Sequence, residues 1–215
     1  MSDWRNSMEE AKRLFFLSVG ISNSAGRRLS PKLGDVVAGV GWRVENCLPA
    51  IVDHEGRWAL RLDPLPGDGT AWLLGHRFST GKVDFRVAAV EQQVGIVLQP
   101  LSGGARDLFG CRFLMPANAA TGEIELRLWL ETGGERHEAS HFIPLKMRGE
   151  WIPIRIVVTH ETLSLFVARD HVPIIKVAHG HSTERPADFG IWRGSDAMAL
   201  VADLKLIATD EWGLR

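Results

Sequence analysis

The sequence predicts an all-β fold, a sandwich of antiparallel sheets. Three observations carry this expectation. Short segments alternate apolar and polar residues, most clearly Ile124, Leu126, Leu128 and Leu130 between Glu125, Arg127, Trp129 and Glu131. Turn residues separate these segments, as in Thr132-Gly133-Gly134-Glu135. No long helical period interrupts them, which argues against alternating strands and helices.

Residues 5–17 read as a short N-terminal helix. Ser7 is a possible N-cap, and Glu9 and Glu10 in the first turn suit the helix dipole. The apolar stretch 14–21 follows Lys12-Arg13, but Asp3, Glu9 and Glu10 stand where a signal peptide is basic. The segment therefore reads as part of the fold, and the protein as cytoplasmic. Residues 22–31 read as a loop. Strands are expected at 36–44, 58–62 and 72–78, with turns at Asp53-His54-Glu55-Gly56 and at 64–69. Val83, Phe85, Val87 and Ala89 alternate with Asp84, Arg86 and Ala88, and 94–99 forms the next strand. After the hairpin turn at Gly133-Gly134 come strands at 136–142, 151–158 and 163–167. A polar linker follows, then closing strands at 189–192 and 201–207.

The chain has 215 residues, a length that suits a single domain over 1–215. Its 45% hydrophobic content is that of a globular protein. The formal net charge is −1, with no basic run longer than Arg27-Arg28, so nucleic acid is not an expected partner. No apolar run approaches the roughly 20 residues of a membrane span. Cys47 and Cys111 read as free buried thiols, with a disulfide between them as the alternative.

Several segments together resemble the concanavalin A-like lectin/glucanase superfamily in its laminin-G-like form. Phe78-Ser79-Thr80-Gly81-Lys82-Val83-Asp84-Phe85 resembles its opening turn and strand, and Val94-Gly95-Ile96-Val97-Leu98 its next strand. Residues 151–167 resemble its tryptophan-led hairpin. Asp188-Phe189-Gly190-Ile191-Trp192 and Val201-Ala202-Asp203-Leu204-Lys205-Leu206 resemble its closing strands. The resemblance covers about residues 70–208 and implies a jelly-roll sandwich of two antiparallel sheets, with an edge strand drawn from the first 70 residues. The superfamily includes lectins, glycoside hydrolases and adhesion modules, so the resemblance specifies fold more than function.

The chemistry must come from the residues. By alternation Glu123, Glu125, Arg127, Trp129 and Glu131 share one face, and Arg86, Gln99 and Arg112 lie on the polar sides of neighbouring strands. Planar hydrogen-bonding groups beside an indole are what a sugar ring requires. The expected ligand face therefore comprises Arg86, Gln99, Arg112, Glu125, Arg127 and Trp129, with carbohydrate as partner and no catalysis. The bland alternative is a solvated face held by cross-strand ion pairs.

A glycoside hydrolase would need two carboxyls about 5–5.5 or 6.5–9.5 Å apart. Glu123 and Glu125, two apart on a strand, are admissible at about 7 Å. Laminarinase-type members carry Glu, a hydrophobic residue, Asp, two residues, then Glu. Here Glu125 replaces the Asp and Leu128 the second Glu, so the signature is broken. His137-Glu138-Ala139-Ser140-His141 matches the zinc-protease pattern, but that motif works on a helix, and a strand would separate the two histidines by about 13 Å. His179 and His181 are weak metal candidates in a segment that reads as a surface loop. No cofactor is expected; Ca²⁺ has no supporting motif. The third reading is a structural or protein-interaction domain without a sugar ligand.

Overall fold

The computed structural model describes residues 27–100, 106–114, 122–167, 170–178, 187–195 and 197–208. The expected helix at 5–17 lies outside them, as do His179 and His181. The elements begin with β1 (Arg27–Leu29), α1 (Gly34–Ala38), β2 (Trp42–Glu45), β3 (Cys47–His54), β4 (Arg57–Pro64), β5 (Gly69–Phe78), β6 (Gly81–Ala88) and β7 (Gln93–Pro100). They continue with β8 (Asp107–Leu114), β9 (Glu123–Thr132), β10 (Glu135–Pro144), β11 (Trp151–Val158), β12 (Thr162–Val167), β13 (Ile175–Ala178), β14 (Ala187–Arg193) and β15 (Ala199–Ala208).

Two sheets face each other. The first runs β13-β12-β11-β6-β15-β4-β3, with β1 also on β15; the second runs β10-β9-β8-β7-β14-β5-β2. Alternation sends Ile124, Leu126, Leu128 and Leu130 of β9 into a shared core, with Val83, Phe85 and Val87 of β6 coming from the other sheet. Phe85 and Phe109 meet edge to face at 6.0 Å across it. Such a pair contributes roughly 0.5–1.5 kcal/mol beyond its area.

The structure adds to and corrects the sequence expectations. Residues 36–44 do not form one strand: α1 occupies the first part and β2 the second. Gly39 ends the helix in the left-handed region at φ 67°, where a glycine carries no Cβ penalty. β1 lies in the stretch expected as a loop, and β13 in the expected polar linker. β3 is the edge strand expected from the first 70 residues, and it tolerates Pro49 because it pairs only with β4.

Candidate functional site

The outer face of the second sheet carries the largest group of candidate residues. The register sets its rows. One row is Trp129 of β9, Gly110 of β8, Gly95 of β7, Trp192 of β14 and Thr70 of β5. Gly110 makes room for an indole: a Cβ there would stand 2.1 Å from ring atoms of Trp129, whereas a Cβ on Gly95 would meet the Phe109 carbonyl. The two indoles meet edge to face, 5.9 Å between centroids. The adjacent row is Glu131, Leu108, Val97, Gly190, Trp72 and Arg43. Trp72 lies against Gly190, where a Cβ would meet its ring at 2.9 Å.

Val97, Leu108, Trp129 and Trp192 are buried together here, with Trp72 half-buried beside them, although the main core lies behind the sheet. Polar groups fix the indoles. Asp68 accepts from Trp192 Nε1 at 3.3 Å, and Glu45 from Trp72 Nε1 at 2.9 Å. The Arg136 guanidinium stands 4.6 Å over the Trp129 ring, held by Glu138 at 2.6 Å and Glu131 at 3.4 Å. Trp129 Nε1 is buried and has no hydrogen-bond partner among the described residues.

On the other side of the aromatic row runs a polar one: Ser140, Arg127, Arg112 and Gln93 on four successive strands, β10, β9, β8 and β7. Arg127 donates to Glu125 Oε1 at 3.3 Å, and Ser140 donates to the same oxygen at 2.7 Å. The Ser140 hydrogen bond, then Arg127, holds the Glu125 carboxyl below its ordinary value against a partial desolvation in the other direction. Arg112 is exposed and makes no ion pair among the described residues. Its side chain neighbours Arg127, whose charge is already taken up by Glu125.

The candidate residues therefore separate into groups. Glu125, Arg127 and Arg112 come together, and Glu123 lies on the same face at the start of β9. Trp129 is on this face too, but only 2% exposed; it builds the floor and offers no open plate. Gln99 shares the face at the far end of β7, paired with Asp188, about 20 Å along the strand from Gln93. Arg86 is on the other sheet, where its Nε bonds Asp203 Oδ2 at 3.1 Å. Alternation gives a residue its face but not its sheet, so Arg86 and Arg112 look alike in sequence. His137 and His141 lie on strand β10, and no helix presents them on one side.

Trp72, Trp192 and the two glycines beneath the indoles, Gly110 and Gly190, were not read from the sequence as a site, because only the register aligns them. Arg193 was missed altogether. It points inward, fully buried, and donates to the carbonyls of Asn46, Leu65 and Gly67 at 2.7–2.9 Å and of Gly194 and Ala197 at 2.6 and 3.2 Å. It ties three chain segments behind Trp192. Cys47 and Cys111 are both free and buried, and burial pushes both thiols up.

No protein-family model matches the chain, and no curated protein matches its sequence. Solved structures do match the fold. A native glycosidic hydrolase superposes with a TM-score of 0.53 at 11% identity, over 90% of this chain and 100% of that one. A Bacillus licheniformis beta-glucanase gives 0.53 at 8% identity, over 88% and 100%. A protein of unknown function with a galectin-like fold from Bacillus subtilis gives 0.52 at 12% identity, over 88% and 98%. The architecture is the concanavalin A-like jelly-roll sandwich, and at these identities the likeness is one of fold.

Proposed function

We propose that this protein is a non-catalytic carbohydrate-binding sandwich that takes its ligand on the outer face of the second sheet. The observation that carries the reading is the polar row Ser140, Arg127, Arg112 and Gln93 lying directly against the tryptophan row. Arg112 presents a free planar donor set to solvent, and donors of this geometry match paired sugar hydroxyls. Trp72 is the indole of this face left partly open, its plane fixed by Glu45. Gln99 and Asp188 extend the polar surface at the other end, so the face suits a chain of sugar units more than a single one.

The state of Glu125 argues against its acting as the general acid of a hydrolase. A general acid of a glycosidase needs a carboxyl raised toward neutrality. Glu125 is instead held ionised by Ser140 and Arg127, and both acceptances occupy the same oxygen.

The test is a glycan array probed with wild type, Arg112→Ala and Trp72→Ala, with and without Ca²⁺. The expected result is one chemical family of hits, weakened ten-fold or more in each variant, equivalent to about 1.4 kcal/mol. The same hits incubated with wild type should release no reducing ends. A blank array would overturn the reading in favour of a structural or protein-interaction domain.

A further inference from the structure

A second place on the molecule has the elements of a ligand site, on the opposite sheet. β15 has β6 on one side from Val201 to Ala208, interrupted by a bulge, but its other side changes partner. β4 pairs with it through Val201, and β1 takes over from Leu206. Between those points no strand among the described residues pairs with that side. In this gap β15 bulges: its register to β6 shifts between Ala202 and Lys205, and Asp203 adopts φ 54°. A non-glycine residue in the left-handed region costs of order 1 kcal/mol or more and persists only where the surroundings hold it. Bulges of this kind re-aim side chains.

Here the bulge aims the Asp203 carboxylate at two guanidiniums. Arg57 and Arg86 both bond its Oδ2. Its Oδ1 has no partner among the described residues. Beside it opens a cavity of about 380 Å³, lined by Trp58, Ile51, Pro31, Leu33, Asp203 and Lys205. That volume lies within the range of small-ligand sites, roughly 300–1,000 Å³. Trp58 is 71% exposed, far above Trp129 or Trp192. Lys205 makes no ion pair among the described residues.

We infer that this cavity is a second carbohydrate site, in which the open Trp58 indole stacks on a pyranose ring while Asp203 Oδ1 accepts from a hydroxyl and Lys205 donates to a ring or hydroxyl oxygen. An exposed indole supplies the apolar plate, and the carboxylate and ammonium supply the acceptor and the donor. The Arg57 and Arg86 contacts fix the carboxylate before any ligand arrives, which lowers the ordering cost of binding. This site does not depend on the face of the second sheet; it shares no residue with it.

The experiment is calorimetric titration of the full chain with soluble gluco-, xylo- and manno-oligosaccharides. The proteins are wild type, Trp58→Ala, Trp58→Phe and Arg112→Ala. The expected result is an oligosaccharide that binds wild type at two sites, one of them weakened at least ten-fold by Trp58→Ala and kept by Trp58→Phe, the other weakened by Arg112→Ala. Trp58 is mostly exposed, so its truncation should leave the fold intact, and circular dichroism checks this. Binding abolished by Arg112→Ala but untouched by Trp58→Ala would overturn this site and leave the second-sheet face standing. Binding that depends on Trp58 alone would uphold this site and count against the face. No binding by any oligosaccharide would overturn both.

Discussion

On the outer face of the second sheet, Trp129 and Trp192 are buried beside Val97 and Leu108, with Gly110 under Trp129 and Gly190 under the half-buried Trp72. On the outer face of the first sheet, alanines and ion pairs predominate, and Trp151 packs against the alanines at one end while donating to the His54 carbonyl. Ala59, Ala88 and Ala202 pack under Leu200 near one end. Elsewhere Arg155 bonds Asp84, Arg61 bonds Asp63, and Arg57 and Arg86 share Asp203. The difference lies in what the backbone leaves room for. Where a neighbouring strand places a glycine opposite, an indole sinks onto the sheet and joins a second core. Where they place alanines, the apolar layer stays thin and charges take the surface.

If the indoles are core, removing one must cost what a core deletion costs. Trp129→Ala should lower the stability by about 3–5 kcal/mol, the usual cost of an aromatic-to-alanine change in a packed site. Urea denaturation followed by far-ultraviolet circular dichroism measures it. An unchanged midpoint would show that the outer cluster contributes nothing to folding, and the contrast between the faces would collapse. The same cost means that lost sugar affinity in this variant could not be read as lost stacking, which is why Arg112 and Trp72 carry the binding test.

The indole row also shows where sequence reasoning runs out. The face of Trp129 was legible, because strict alternation over β9 leaves no other choice. Its burial was not legible, since that depends on Gly110 standing opposite it, and pairing register is a property of the whole sheet. Strands with clean alternation or β-branched runs, such as β9, β11 and β12, were recovered with boundaries close to those observed. The stretch 36–44 failed because its valines fit a strand as well as a helix, and the left-handed Gly39 decides between them. β13 has only four residues, and the run Val172 to Ala178 that holds it was read into the polar linker on either side. Arg193 gave no signal because a buried arginine whose two terminal nitrogens donate to five backbone carbonyls leaves no charge partner in the sequence.

The charged face should respond far more weakly. Arg155→Ala removes bonds to Asp84 at 2.6 and 3.4 Å. The Arg155 side chain is half exposed, so the expected loss is within about 1 kcal/mol, and salt should shrink it further. Urea midpoints at low and high ionic strength measure it. A loss as large as that of Trp129→Ala would mean that the ion pairs, and not the packing, hold the outer faces. Lys82 offers a second readout of the same change. Its ammonium is held below the ordinary lysine value by burial first and by the Arg155 charge second. Removing that charge should let it rise part of the way back.

The smallest effect is expected at Glu125, in the polar row that borders the tryptophans. Its carboxyl sits below the ordinary value chiefly because Ser140 donates to it, with Arg127 assisting. A lowered folded-state value means that the ionised carboxylate stabilises the fold above the unfolded-state value, and that this contribution disappears as pH falls through the folded one. Ser140→Ala should therefore move the Glu125 titration upward and should narrow the stability difference from wild type as the solution is acidified. Carbon-detected NMR of the Glu125 side chain follows the first, and urea midpoints across the acid range follow the second. A carboxyl that titrates unchanged in Ser140→Ala would assign its ionised state to Arg127 alone. The row would then be an ion pair between neighbours, like those of the first sheet, and its distinction as a prearranged hydrogen-bonding surface would rest on Arg112.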